Sequence, residues 1–221
     1  DLAIALINRA VTNRIGPAIL PGMELAQGVP SSLRTMIAMP VLLTSPEQAE
    51  ELVERLEVHY LASSEGDLYF ALLSDWTDAE TETVPDDDVI FSAATECIAQ
   101  LNRRYGPAPG GGDRFLLLHR RRIWNDSQGL WMGWERKRGK LHELNRLLRG
   151  ASDTNFLSTG SKLTVPENVR YVITLDADTR LPRESAKRLI GKMAHPLNRP
   201  ELDPKSSVVV EGYGILQPRV T

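Results

Sequence analysis

Two aspartates one residue apart close a short apolar run in YVITLDADTR, residues 171 to 180. Side chains at i and i+2 of an extended chain point the same way, and Ala177 between them is small, so Asp176 and Asp178 can address one ligand. Three chemistries fit this pair. It could hold a hard cation such as Mg²⁺ or Mn²⁺, completed by waters and a diphosphate. It could be a phosphatase nucleophile with its neighbouring acid. It could also be only the polar end of a buried strand.

Upstream, Glu135-Arg136-Lys137-Arg138-Gly139-Lys140 gathers cations at or just before a helix signal, where free N–H groups and the helix dipole favour an anion. A charge run is more commonly a solvated face. An anion site and a cation site in one domain, however, together describe a metal-bound diphosphate. Asp75, at the end of LYFALLSD, can accept hydrogen bonds from a base or a ribose, with Asp78 as a substitute and a turn role as the plain alternative for both. Trp131 and Trp134 offer a flat wall to a sugar, or serve as buried aromatic anchors. His59, His119, His142 and His195 have no metal-ligand spacing and are expected to be structural. No GxSxG, P-loop, HExxH or GxGxxG pattern occurs, which removes the common hydrolase, NTPase, zincin and dinucleotide readings.

The elements that must position these residues follow from periodicity. A helix is expected over the first sixteen residues, with Ala3, Leu6, Ile7 and Ala10 on one face, followed by an irregular arm. MIAMPVLL at 36–43, LYFALL at 68–73, FLLLH at 115–119 and YVITL at 171–175 read as apolar strands without period-two alternation. Ser45-Pro46-Glu47-Gln48 carries an N-cap, a first-turn proline and a capping-box glutamine ahead of a helix burying Ala49, Leu52, Val53 and Leu56. Further helices carry Ile90, Ala94, Cys97, Ile98 and Leu101, then Leu141, Leu144 and Leu148 up to Gly150, then Ala186, Leu189, Ile190 and Met193. SSVVVEGYGIL is expected to be a last strand. Strands alternating with helices predict an α/β fold, a mainly parallel sheet with helices on both faces. Ligands of such sheets bind beyond the carboxyl ends of the strands, so the candidate segments are Thr44-Ser45, Ser74 to Asp78, His119 to Arg122 and Asp176 to Thr179.

Composition narrows the function without choosing it. The 221 residues are 42% hydrophobic and 25% charged with a net charge of −3, which gives no general attraction to nucleic acid or anionic lipid. Cys97 is the only cysteine, so neither an intrachain disulfide nor a cysteine metal site is available. No apolar run reaches the roughly 18 residues of a membrane span. The start at Asp1 and the stop inside a strand-like segment suggest a piece of a longer protein.

The strings LPGMELAQGVP, LLTSPEQAEELVERLEVHYLA, GLWMGWERKRGKLHELNRLLRG, YVITLDADTRLPRESAKRLIGKMAHPLNRP and VVEGYGILQPRV resemble the glycosyltransferase region of bacterial cyclic β-1,2-glucan synthases. More broadly, the order of a strand with Pro40, Asp75, the GKxxxLN segment from Gly139 to Asn145 and LDADT is similar to processive inverting glycosyltransferases of the cellulose-synthase-like type. The resemblance implies a glycosyltransferase-A (Rossmann-like) fold, cut after its donor-binding half, on the cytoplasmic face of a bacterial inner membrane. It implies transfer of glucose from UDP-glucose, with inversion, to a growing β-1,2-glucan. Residues 1–33 would be a helix and connecting arm, and 34–221 the donor-binding part. Asp75 would hold the uridine, Lys140 and Arg138 the diphosphate, Asp178 the divalent cation, and Asp176 the ribose or the cation's shell. The catalytic base is expected beyond residue 221, so the chain would bind UDP-glucose without polymerising it. The acceptor glucan and the membrane would be reached only through other parts of the protein. Two alternatives stand beside this reading: a haloacid-dehalogenase-like phosphatase, against which Arg180 stands at the fifth motif position, and a non-catalytic sugar-nucleotide-binding or interaction module.

Overall fold

In the computed structural model, residues 7, 9, 14, 19–157 and 164–218 are described. The expected N-terminal helix therefore falls largely outside the described residues. Two compact units are present, one formed by Leu25–Ile190 and one by Asp1–Glu24 with Gly191–Thr221. The polar strand ends all belong to the first unit.

That unit is built on a four-stranded, wholly parallel sheet in the order β3-β2-β1-β6. Its strands are β1 (Thr35–Leu43), β2 (Leu68–Trp76), β3 (Phe115–Arg120) and β6 (Tyr171–Thr174). Both faces of the central strands are covered, which is why their sequences read as unbroken apolar runs. Ile37, Met39, Phe70, Leu72, Phe115 and Leu117 join one core, while Met36, Ala38, Tyr69, Ala71, Leu73 and Leu118 join the other. Pro40 is tolerated in β1 because β6 pairs only with Thr35 to Ala38, so beyond that point the strand has no paired neighbour on that side among the described residues.

The first core is roofed by α1 (Pro46–Ala62) and α2 (Asp87–Tyr105). The α1 helix starts as its sequence predicts: the Ser45 hydroxyl accepts from the Gln48 amide at 3.2 Å, and the Gln48 side chain accepts from the Thr44 amide at 2.9 Å. Its buried face is Ala49, Leu52, Val53 and Leu56. Each fully buried aliphatic side chain there contributes about 1.5–3 kcal/mol relative to exposure. The second core is covered by α3 (Arg136–Leu148), through Leu144 with Leu141, Leu147 and Leu148 at its margin. The Gly150 amide donates to Leu147 O and the Ala151 amide to Arg146 O, with Gly150 left-handed, which closes α3 where the glycine predicted. The last helix, α4 (Ser185–Ala194), brings Ala186 and Ile190 to the first core.

Two features depart from the sequence reading. A small antiparallel hairpin, β4 (Ile123–Asn125) and β5 (Leu130–Met132), stands between β3 and α3. The expected last strand is not part of the parallel sheet: β8 (Val209–Glu211) pairs antiparallel with β7 (Glu201–Leu202). The turn at Asp203 explains this, because its carboxylate accepts from the Lys205 and Ser206 amides at 2.6 and 2.9 Å and folds the chain back on its nearest neighbour. Short loop closure costs less entropy than reaching a distant sheet edge.

Candidate functional site

Strand alternation decides which way each polar strand end faces. Asp75 follows Tyr69, Ala71 and Leu73 onto the face covered by α3, and Arg120 follows Leu116 and Leu118 onto the same face. The two are directly paired across β2 and β3. Arg120 Nε donates to Asp75 Oδ1 at 2.7 Å, and Nη2 donates to Oδ2 at 3.0 Å, forming a two-pronged guanidinium–carboxylate pair.

The helix α3 supplies the rest of this cluster. Gly139, Lys140, Glu143 and Leu144 form its buried stripe, spaced for one helical face. Lys140 Nζ lies 3.2 Å from Asp75 Oδ2 and also donates to the Val41 carbonyl. Glu143 Oε1 accepts from Arg120 Nη1 at 3.1 Å, and the Glu143 carboxylate also accepts from the Asn155 amide and side chain at 2.7 and 2.9 Å. Asp75, Arg120, Lys140 and Glu143 are each at most 3% exposed, so this is a closed set of two anions and two cations. Burial pushes the Lys140 ammonium below its ordinary pKa, and the adjacent Asp75 carboxylate pulls it part of the way back.

The cluster has a tight lid. A Cβ on Gly133 would stand 2.6 Å from Asp75 Cγ, and a Cβ on Gly139 would stand 1.9 Å from the Trp134 carbonyl oxygen. The segment leading into α3 therefore lies directly on Asp75 because two positions carry no side chain. The hairpin ahead of it is tied back to the chain beyond β2, with Ala79 and Trp131 exchanging backbone hydrogen bonds at 3.0 and 2.8 Å.

Beside this closed cluster lies an open turn. The Leu175 amide continues the pairing of β6 by donating to Ala38 O at 3.0 Å, and the Thr179 amide donates to Asp176 O at 2.9 Å. The turn so formed exposes Asp176, Asp178 and Thr179, while Ala177 is half-buried and its carbonyl accepts from Arg55 at 3.0 Å. Asp176 meets Lys137 from the first turn of α3 in an ion pair whose side chains are both about half exposed. Arg138, by contrast, points to solvent and pairs with Glu135 at 2.7 Å. The structure thus brings Asp75 and Lys140 into one cluster, links Asp176 to the same helix through Lys137, and leaves Asp178 and Arg138 exposed.

The donor set around 176–178 suits a hard cation shared with a ligand. Among the described residues, no group of three or more His, Cys, Asp or Glu side chains could hold a metal ion. A Mg²⁺ or Mn²⁺ at this turn would take one or two carboxylates from the chain and its other oxygens from water and a diphosphate, which is how such ions commonly bind. The residues present fit that mode, and Lys137 marks where positive charge is already accepted.

The remaining strand-end groups are structural. His119 is sealed in the opposite face, with Nδ1 2.8 Å from Ser74 Oγ and its ring against Trp76 at 4.1 Å between centroids. Burial pushes its pKa down to about 3, so it is neutral at ordinary pH. Arg122 forms two hydrogen bonds to the Asp87 carboxylate, at 2.6 and 3.1 Å, and packs over Trp76. Trp131 is half-buried in the hairpin, whereas Trp134 is exposed and lies edge-on to His142 at 6.0 Å.

Sequence reasoning did not single out Arg120 or Glu143. Both were within reach of it: Arg120 lies in the candidate strand end His119 to Arg122, and Glu143 lies in the segment from Gly139 to Asn145. The hairpin had a signal too, in the turn-forming Asn125-Asp126-Ser127-Gln128-Gly129 between two short apolar runs.

A parallel sheet with polar strand ends, a basic helix start and an acidic turn in one unit defines an α/β protein of the Rossmann-like class. No protein-family model matches the chain. Over 99% of its length the chain is 51% identical to the cyclic beta-(1,2)-glucan synthase NdvB of Rhizobium meliloti (strain 1021). It spans 8% of that relative's length. The resemblance to cyclic β-1,2-glucan synthases seen in the sequence is therefore a measured one, and it covers nearly the whole chain.

Proposed function

We propose that this chain is the donor-binding portion of a glucan synthase, which places UDP-glucose at the strand ends for inverting transfer to a growing β-1,2-glucan. The observation that carries the reading is the pairing of an exposed acidic turn, Asp176 to Asp178, with a cationic first turn of α3 that already reaches it through Lys137. Identity to NdvB over nearly the whole chain supports the same reaction class. The phosphatase and non-catalytic alternatives have no comparable match behind them.

In this reading Asp178 and Asp176 would hold a divalent cation, which when bound would supply positive charge for a departing diphosphate. Lys137 exchanges its Asp176 partner for a phosphate oxygen, and Lys140 supports the same end of the helix from beneath. Arg138, exposed and paired with Glu135, would exchange that partner for the outer phosphate. Asp75 acts from inside its cluster, shaping the floor on which the uridine lies. A base elsewhere in the protein removes the acceptor hydroxyl proton. Among the described residues no helix is long and apolar enough to cross a membrane.

Titration with UDP, with and without Mn²⁺, tests the proposal. Metal-dependent binding that disappears in Asp178→Ala is expected. An absence of binding at millimolar UDP contradicts it.

A further inference from the structure

We infer that Arg120 is a positioning residue: its buried guanidinium sets the left-handed turn that opens α3, and so aims the cationic first turn of that helix at the acidic turn after β6. This inference rests on the donor-site reading for its purpose, but its geometry stands on its own.

Glu135 and Arg136 both have positive φ, 50° and 46°. Consecutive non-glycine residues in that region persist only where their surroundings fix them. The start of α3 has no side-chain cap to do so. Arg120 supplies the constraint instead. Its Nη2 donates to the carbonyls on either side of the strained pair's first residue, Trp134 O at 3.1 Å and Arg136 O at 3.2 Å. The same guanidinium is held from below by Asp75 and from the side by Glu143, which Asn155 braces. The buried Asp75 and Glu143 carboxylates fix Nε, one Nη2–H and one Nη1–H, which leaves the second Nη2–H shared between the two carbonyls, so the turn inherits the rigidity of β2 and β3. Lys137 sits directly after the clamped carbonyl of Arg136, and it is the residue that reaches Asp176.

Charge balance gives a clean test. Replacing Arg120 and Glu143 together leaves Asp75 and Lys140 as a neutral pair, so Arg120→Met/Glu143→Gln removes the clamp without stranding a buried charge. The full chain carrying both changes is expected to unfold near the wild-type midpoint. Backbone amides of residues 134–140 are expected to exchange at least tenfold faster than in the wild type, while those of β1 are unchanged. UDP in the presence of Mn²⁺ is expected to bind at least tenfold more weakly. Arg120→Lys keeps the charge but not the forked geometry; it is expected to move both readouts in the same direction and carries the test should the double variant fail to fold.

Wild-type exchange across 134–140 in the folded double variant, or in Arg120→Lys if that is the folded one, overturns the inference. So does undiminished UDP affinity in that variant. If the wild-type chain binds no UDP, the donor-site reading fails, and the exchange rates still decide whether Arg120 positions the turn.

Discussion

The buried cluster at the ends of β2 and β3 and the exposed turn after β6 carry the same kinds of side chain in opposite states. Asp75 is sealed between Arg120 and Lys140 beneath Gly133, whereas Asp176 and Asp178 stand in solvent with Lys137 as the contact of the first. In the cluster every charge is matched inside the fold, so the group fixes geometry. In the turn the carboxylates retain lone pairs for something that is not protein. A carboxylate's role at a strand end is thus decided by whether its neighbours have already used its oxygens.

The largest effect expected from this contrast is on stability. Arg120→Ala leaves Asp75 and Glu143 sharing one buried cation, and loss of one partner from a buried pair costs about 3–5 kcal/mol. Denaturant unfolding of the variant is expected to show a loss of that size. A change under about 1 kcal/mol would mean that the cluster is not the closed unit its distances describe.

Gly139→Ala comes next. Alanine favours a helix over glycine by about 1 kcal/mol, so the substitution would stabilise an open site. Here the added Cβ meets the Trp134 carbonyl, and overpacking should reverse the sign, with a net loss of about 1–3 kcal/mol in thermal or denaturant unfolding. A more stable variant would show that the lid over Asp75 is loose.

The pH dependence sharpens the comparison on the opposite face of the sheet. His119 titrates near 3 when folded against 6.5 when unfolded, so below about pH 6.5 the unfolded chain holds the extra proton. Stability is then lost as pH falls from that value toward 3, by up to about 1.4 kcal/mol per pH unit. His119→Gln is expected to flatten this part of the profile of unfolding free energy against pH. An unchanged slope would assign the acid sensitivity to other groups.

How much of this could be read from the sequence depended on the range of the forces involved. The strands, α1 and the closure of α3 at Gly150 are local outcomes of apolar runs, a serine cap and a glycine stop, and each was legible. The parallel order followed from alternation of strand and helix. The buried cluster was not legible, because Asp75 and Arg120 meet only through the register of β2 against β3, and Glu143 reaches them only through the packing of α3 on that face. The β7–β8 hairpin was hidden for a related reason: Val208-Val209-Val210 has the composition of a core strand, yet all three side chains are exposed and the turn at Asp203 chooses the partner. The acidic segment Asp176 to Asp178 was legible at the end of a strand, but the contact from Lys137 required the geometry of the turn at Glu135 and Arg136.

The smallest expected effect on stability belongs to the exposed turn. Asp178→Ala should change the unfolding free energy by no more than about 0.5 kcal/mol, as for other surface substitutions, which separates its expected loss of nucleotide binding from any loss of fold. A large destabilisation would move Asp178 from the open region to the structural one.

The most direct measurement is a crystal structure of the chain with UDP and Mn²⁺, with the ion located by its anomalous scattering. The Mn²⁺ peak is expected against the Asp178 carboxylate, shared with the diphosphate, with Lys137 turned from Asp176 toward a phosphate oxygen. A peak away from residues 176–178, or nucleotide bound with Lys137 still on Asp176 and no ion at the turn, would contradict it.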